Sequence, residues 1–261
     1  MNVLDEISVR TKLRIEEKKK SLPRNEIAAM AEELSIRPDF PFENALRREG
    51  LNFICEIKKA SPSKGVISEG FPYLQIAREY EAANAAAISV LTEPFWFQGS
   101  DRYLCEIAGT VSIPLLRKDF VIDIYMVYEA KLLGASAILL ICGILSPGQL
   151  SEYIHESHRL GLSCLVEAHD EDELQMALQA GARVVGVNNR DLKTFTVDMA
   201  NSVRLRELVS ESVIFVAESG IKCAEDIMML RRKGINNFLI GEKLMCSPDI
   251  AATMALLRGE S

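Results

Sequence analysis

Glu56 and Lys58 stand two residues apart in "CEIKKASPSKG" (residues 55–65), directly after the apolar run "LNFI". On an extended chain that spacing puts an acid and a base on one face, with Cys55 and Ile57 on the other. Charges at the end of a buried strand are costly unless something pairs with them. A facing acid and base can move protons or neutralise a charged ligand. The pattern recurs. Lys118 in "LLRKDF", Glu167 in "LVEAHD", Asn188 and Arg190 in "VNNRD", and Glu218 with Ser219 in "VAESG" each close an apolar run. Each has a plainer reading when taken singly. A lysine or arginine at a strand end is commonly a surface charge. Glu167 suits a helix cap, and Asn188-Asn189 suits a turn. Surface charge does not explain why these residues collect at the same end of five runs.

The elements that must position them follow a repeat. From about residue 50, strand-like runs appear at "NFICEIK", "AAISVLT", "IPLLRKD", "AILLIC", "CLVEA", "RVVGVN", "VIFVAES" and "NFLIGE". Most are too continuously apolar for a one-sided sheet, which predicts burial on both faces. Helix signals lie between them. Ser146-Pro147 and Ser247-Pro248 each predict an N-cap with Pro at the first helical position, and Asp170 with Glu173 resembles a capping box. Gly134, Gly161, Gly181 and Gly234 each precede a strand, as residues that stop a helix in the left-handed conformation. Asn84 fills the same place before the second strand.

Eight strands alternating with helices predict an α/β (β/α)8 TIM barrel spanning residues 1–261 as one domain, with the barrel over 49–261. A doubly wound open sheet is the alternative, but no G-x-G-x-x-G follows the first strand. Residues 1–48 fall outside the repeat. Pro23 opens a predicted helix whose Ile27, Met30 and Leu34 share a face, and the segment reads as a helical extension packed across one end. In a barrel, the C-terminal strand ends carry the chemistry. That places Glu56, Lys58, Lys118, Glu167, Asn188, Arg190 and Glu218 at one mouth. The turns after strands seven and eight, "ESGI" and "IGEKL", offer backbone amides from Gly220, Gly241 and Glu242 and the Ser219 hydroxyl, a pattern suited to phosphate.

Other features carry less. His155 and His158 stand i, i+3 on a predicted helix, but no third metal ligand is evident nearby, and a solvated helix face is the expectation. His169 precedes the Asp170 cap and is expected at the mouth rim. Phe95-Trp96-Phe97 follows strand two and suits either a lid over a flat ligand or ordinary loop packing. The six cysteines form no C-x-x-C, and several sit in apolar runs, as expected of reduced, buried thiols. A net charge of −7 argues against nucleic-acid binding by bulk charge, while leaving room for a local anion site. No apolar run has the length of a membrane span, and no signal peptide is visible, which predicts a cytoplasmic protein.

With "EIKKASPSKG", "LTEPFWFQGS", "PLLRKDFVID", "LVEAHDEDEL", "GVNNRDLKTF", "AESGI" and "FLIGEKLM" in this order, the chain resembles the indole-3-glycerol phosphate synthase family over nearly its whole length. The resemblance implies ring closure, decarboxylation and dehydration of 1-(2-carboxyphenylamino)-1-deoxyribulose 5-phosphate in tryptophan biosynthesis. It implies Lys118 as general acid and Glu167 as an acid–base or electrostatic partner. Glu56 and Lys58 are implied in charge stabilisation and proton transfer, and Asn188 joins this catalytic group. Ser61, Arg190, Glu218, Ser219, Gly220, Leu239, Gly241 and Glu242 match substrate-pocket positions. The family needs no metal or cofactor. The partner it implies is a small phosphorylated, anthranilate-derived substrate, with the chain a monomer and at most weakly associated with other tryptophan-pathway enzymes. Ile124 and Met126 stand where the family pattern has Pro and Gln, and Gly70 is unusual in the loop after strand one. Two rivals remain at this point. One is a sugar-phosphate isomerase with Cys55 as its thiol candidate. The other is a catalytically dead barrel kept as a scaffold, against which the intact charged set argues. Indole fluorescence on incubation with the carboxyphenylamino substrate separates all three.

Overall fold

The computed structural model describes residues 3–36, 38–62, 64–68, 70–191 and 196–260. Its centre is a closed barrel of eight parallel strands: β1 (Asn52–Ile57), β2 (Ala87–Leu91), β3 (Leu115–Lys118), β4 (Ala137–Ile141), β5 (Ser163–Ala168), β6 (Val184–Asn188), β7 (Ile214–Glu218) and β8 (Asn237–Ile240). Each strand pairs with its sequence neighbours, and β8 returns to β1 through Asn52 opposite Asn237 and Cys55 opposite Ile240. All eight strands expected from the sequence are present, and the open sheet is excluded.

Alternation along the strands divides the core in two. One set of side chains, including Cys55, Ile88, Ile138, Val185 and Phe238, packs outward against the helices. The other set, including Ile54, Ala87, Leu116, Leu139, Leu165, Val184, Val216 and Leu239, fills the barrel. Around the barrel lie α1 (Val3–Ser21), α2 (Arg24–Glu33), α3 (Pro41–Leu46), α4 (Tyr73–Ala82), α5 (Asp101–Ala108), α6 (Tyr125–Leu132), α7 (Pro147–Arg159), α8 (Glu171–Gln179), α9 (Ala200–Arg206), α10 (Ala224–Arg231), α11 (Glu242–Met245) and α12 (Ile250–Arg258). Gly134, Gly161, Gly181 and Gly234 take positive φ, and so does Asn84 at 58°. This is the left-handed stop that the sequence predicts. Among the described residues, no helix is long and apolar enough to cross a membrane.

Three local expectations need correcting. Ser146 caps α7 in a reciprocal box with Gln149, but Asp249 rather than Ser247 caps α12, accepting the Ala252 N–H at 2.9 Å. Asp170 accepts the Glu173 N–H at 2.9 Å, yet the Glu173 carboxylate turns back to His169, so the box is not reciprocal. On α2 the buried face is Ile27 and Ala31; Met30 and Leu34 are exposed.

The N-terminal extension reaches both ends of the barrel. At the strand N-termini, Phe42, Ala45 and Leu46 of α3 join the interior cluster as a plug. Glu43 accepts from Ser163 Oγ at 3.1 Å and from Arg183 Nη2 at 2.7 Å, fixing the plug to β5 and to the start of β6. At the opposite end, α1 lies over the mouth. Arg14 donates to both oxygens of Asp119 at 2.8 and 3.0 Å, Lys19 pairs with Asp123 at 2.6 Å, and Lys18 pairs with Asp101 and Glu129. Asp101, Asp119 and Glu129 converge on Arg117, which is fully buried on the outer face of β3 and donates to Asp101 at 2.8 Å and Glu129 at 2.5 Å.

Candidate active site

The interior positions nearest the strand C-termini are where apolar side chains give way to charge. Glu56, Lys118, Glu167, Asn188 and Glu218 come from β1, β3, β5, β6 and β7. They form the floor of a cavity of about 550 Å³, the size range of a small-molecule site. All thirteen residues singled out in the sequence line it: these five with Lys58, Ser61, Arg190, Ser219, Gly220, Leu239, Gly241 and Glu242. Ser63 and residues 192–195, which belong to two of the motifs, lie outside the described residues.

Lys118 occupies the centre. Its Nζ stands 3.4 Å from Glu218 Oε2 and 3.7 Å from Glu167 Oε2. Burial alone would push its pKa down, but the carboxylates of Glu218, Glu167 and Glu56 outweigh burial and hold it above the ordinary lysine range. Lys118 therefore carries the proton that a general acid must supply. Glu56 pairs with Lys58 at 2.5 Å, and the backbone carbonyl of Glu56 accepts from Tyr80 Oη at 3.2 Å. Burial raises its pKa, but Lys58 and Lys118 together bring it below the usual carboxylate range. Glu218 goes the other way. Burial is the largest influence, Glu167 and Glu56 add to it, and Lys118 only partly offsets them, so its pKa rises to about 8. Glu218 Oε1 has no hydrogen-bond partner among the described residues. Two buried carboxylates with pKa values pushed apart are a recognised basis for dividing acid and base roles.

Two glycines make room for these acids. A Cβ built on Gly186 would overlap Glu218 Oε1, and one on Gly241 would overlap Glu56 Oε1. The phosphate-type turns also have defined backbones. Ser219 takes φ 65° and Gly220 φ 88°, and a Cβ on Gly220 would meet Val197 and Met199. Successive left-handed residues at the end of β7 turn the chain sharply over the cavity. Asn188 Oδ1 accepts the Arg190 N–H at 3.0 Å, which shapes the loop after β6.

The remaining sequence candidates separate cleanly. Cys55 faces outward, 3.9 Å from Met254 Sδ, so the thiol expected of an isomerase is not in the cavity. His158 is half-buried, edge-on to Phe40 with ring centroids 5.7 Å apart, rather than on a solvated face; His155 is exposed. Among the described residues, no group of three potential ligands is placed to hold a metal. Phe97 lines the cavity and contacts Phe120, whereas Phe95 is exposed beneath Arg10. Glu93 fixes this aromatic loop by accepting the N–H groups of Phe95, Trp96 and Phe97 at 2.7–3.0 Å. Cys55, Cys142 and Cys164 are buried as expected, but Cys105, Cys223 and Cys246 are exposed, and Cys246 lies in the cavity wall. Sequence reasoning missed Arg117 and Asp119, although both flank Lys118 in "RKD". It also missed the part of α1 that roofs the cavity through Val3, Leu4 and Ile7.

Comparison with known proteins completes the site's context. The family model described as indole-3-glycerol phosphate synthase matches residues 4–257. An indole-3-glycerol phosphate synthase from Ruminiclostridium cellulolyticum is 57% identical over 259 residues, covering 99% of this chain and 100% of that relative. One from Endomicrobium trichonymphae is 52% identical, covering 98% of this chain and 99% of the relative. Among solved structures, 3-hexulose-6-phosphate synthase from Salmonella typhimurium superposes with a TM-score of 0.66 at 10% identity, covering 80% of this chain and 97% of that one. A chain of the tryptophan synthase complex from Pyrococcus furiosus gives 0.60 at 13% identity, with coverage of 80% and 98%. At those identities the structural likeness speaks to the barrel alone.

Proposed function

The chain belongs to the indole-3-glycerol phosphate synthase family, and we propose that Lys118 is its general acid and Glu167 the acid–base partner. As a member, it is a carboxy-lyase of tryptophan biosynthesis. It converts 1-(2-carboxyphenylamino)-1-deoxyribulose 5-phosphate to indole-3-glycerol phosphate, releasing carbon dioxide and water. The observation that carries the residue assignment is the position of Lys118 Nζ, between the Glu218 and Glu167 carboxylates on the cavity floor.

The aryl carbon attacks the substrate carbonyl, whose oxygen takes a proton from Lys118 and becomes a hydroxyl. Loss of carbon dioxide restores the aromatic ring. The hydroxyl then leaves as water with a second proton from Lys118, reprotonated in the interval, and Glu167 accepts the proton lost from the carbon beside nitrogen. Glu218, protonated near neutrality, stands close enough to return a proton to Lys118. Lys58, paired with Glu56, faces the substrate anions; Asn188, Arg190, Ser61 and Leu239 shape the pocket. No metal or cofactor has a part in this sequence, because Lys58 and Lys118 supply the positive charge. Dialysis against EDTA is therefore expected to leave turnover unchanged. A loss restored by one divalent ion would refute that.

Arginine at position 118 keeps the charge, but its delocalised guanidinium gives up a proton far less readily than an ammonium. Lys118→Arg is expected to bind the substrate within a modest factor of the native protein and to lose about 10²–10⁴-fold in kcat. A variant that closes the ring at the native rate in single-turnover measurements removes Lys118 as the acid and leaves Lys58 as the next candidate.

The phosphate is assigned to the turns after β7 and β8, where amides of Gly220, Gly241 and Glu242 and the Ser219 hydroxyl border the cavity. A side chain at Gly241 would strike Glu56, so that glycine cannot test binding alone. Ser219→Gly removes the hydroxyl and accepts the left-handed backbone. Losing one hydrogen bond to a charged group, worth about 1.5–3 kcal/mol, predicts KM raised by roughly 10- to 100-fold with kcat little changed. An unchanged KM would take Ser219 out of the phosphate site. The same reading has the chain acting as a cytoplasmic monomer; a stable dimer in sedimentation would contradict that.

A further inference from the structure

His169 follows β5 by one residue and has no role in the steps above. Its ring sits between two carboxylates. Nδ1 lies 3.0 Å from Glu173 Oε2, which also accepts the His169 backbone N–H at 2.8 Å. Nε2 lies 3.5 Å from Glu167 Oε1 and has no hydrogen-bond partner among the described residues. The backbone is pinned too, with the His169 carbonyl accepting from Asn201 Nδ2 at 2.9 Å. A neutral imidazole offers one N–H, and an ionised carboxylate can only accept. Carboxylates facing both ring nitrogens are served together only by the imidazolium.

We infer that His169, as an imidazolium bridging Glu173 to Glu167, is a positioning residue for the reaction: it engages Glu167 Oε1 and so leaves Oε2 turned toward Lys118 and the substrate. The inference rests on the reading of Glu167 as the acid–base partner. The groups acting on the ring are acidic: Glu167 from β5, Glu173 on α8 and Glu218 from β7. The Cys142 thiol after β4 is kept un-ionised by burial, with its pKa pushed up to about 12. Lys118 lies on the other side of Glu167. Burial pushes the imidazole down, but the Glu173 hydrogen bond and the charges of Glu167, Glu173 and Glu218 outweigh it, raising the pKa to about 8. Above that pH a bare nitrogen lone pair would face the Glu167 carboxylate, and the carboxylate would turn away.

The chain has three histidines, which makes the ring directly observable by NMR titration. His158 is held down at about 4 by burial, Arg183 and His155. We expect one imidazole to titrate near 8, to be absent in His169→Gln, and to move down in Glu173→Gln. In steady state, His169→Leu should lose kcat by about 10- to 100-fold, with KM moving far less. His169→Gln, whose amide can donate to Glu167 without charge, should recover part of that loss and lack the alkaline limb that follows His169. Glu218 titrates in the same range, so the limb is assigned by which variant moves it. A folded His169→Leu with native kcat and an unchanged pH profile overturns the inference. If that variant does not fold, Glu173→Gln decides: an unmoved His169 titration with native kcat overturns it equally. Failure of the parent reading looks different. There Glu167→Gln itself would keep native kcat, whereas a dead Glu167→Gln beside a fully active His169→Leu sinks only the role of His169.

Discussion

Gly186 acts through the side chain it lacks. It sits inside the barrel on β6 at the level of the acids, and the Glu218 carboxylate occupies the space a methyl group would take. A carboxylate tip can swing, so Gly186→Ala is expected to fold and to displace Glu218 rather than break the strand. The expected result is a fall in kcat of up to about 100-fold, with near-native thermal stability. Native turnover in that variant would mean that the position of Glu218 is unimportant. Glu218 also makes a stability prediction. Its folded pKa, about 8, lies above the carboxylate value of the unfolded chain. Between those values the native state binds the extra proton, so stability falls as pH rises from about 4.5 to about 8. Glu218→Gln removes that dependence. The difference in Tm between pH 5 and pH 8.5 should narrow in the variant, even as turnover falls. An undiminished difference would show that Glu218 is not the group responsible.

At the scale of elements, β3 gives neighbouring residues opposite work. Lys118 points into the mouth; Arg117 points outward, fully buried, and gathers Asp101, Asp119 and Glu129, to which α1 is tied through Arg14 and Lys18. Removing one member of a buried charge network leaves the others unpaired, at a cost of about 3–5 kcal/mol. Arg117→Met should therefore lower Tm by roughly 10 °C and loosen the roof over the cavity. A drop of only a degree or two would mean that solvent or Lys18 already satisfies those acids. The contrast between Arg117 and Lys118 also marks how far the sequence could be read. Strand phase and the glycine stops are local signals, and they give the eight strands and the mouth. Arg117 shares its residue type with any surface cation, and two of the acids it gathers, Asp101 on α5 and Glu129 on α6, lie 16 and 12 residues away. Only the closed structure brings them together. The α3 plug was illegible for the same reason, since nothing local tells Phe42 that a barrel end waits for it. His169 lies beside Glu167 but is not among the cavity-lining residues, and the Glu173 carboxylate that orients it looked like half of a capping box.

At the scale of the whole molecule, the extension touches both ends of the barrel, and we propose that residues 1–261 unfold as one domain. The single tryptophan, Trp96, lies in the loop after β2 near the mouth, whereas far-UV circular dichroism reports the barrel at large. Denaturant transitions followed by the two signals should coincide; a fluorescence change well before the loss of ellipticity would show a separately melting mouth. The distribution of thiols over the molecule has a practical consequence. Of the exposed cysteines, Cys105 and Cys223 are not among the cavity-lining residues, while Cys246 belongs to the cavity wall. Cys246 is thus a built-in attachment point at the mouth. A mild electrophile carrying an anthranilate-like anion would be delivered there by the site's own lysines, reacting with Cys246 ahead of the other two and stopping turnover with one equivalent bound.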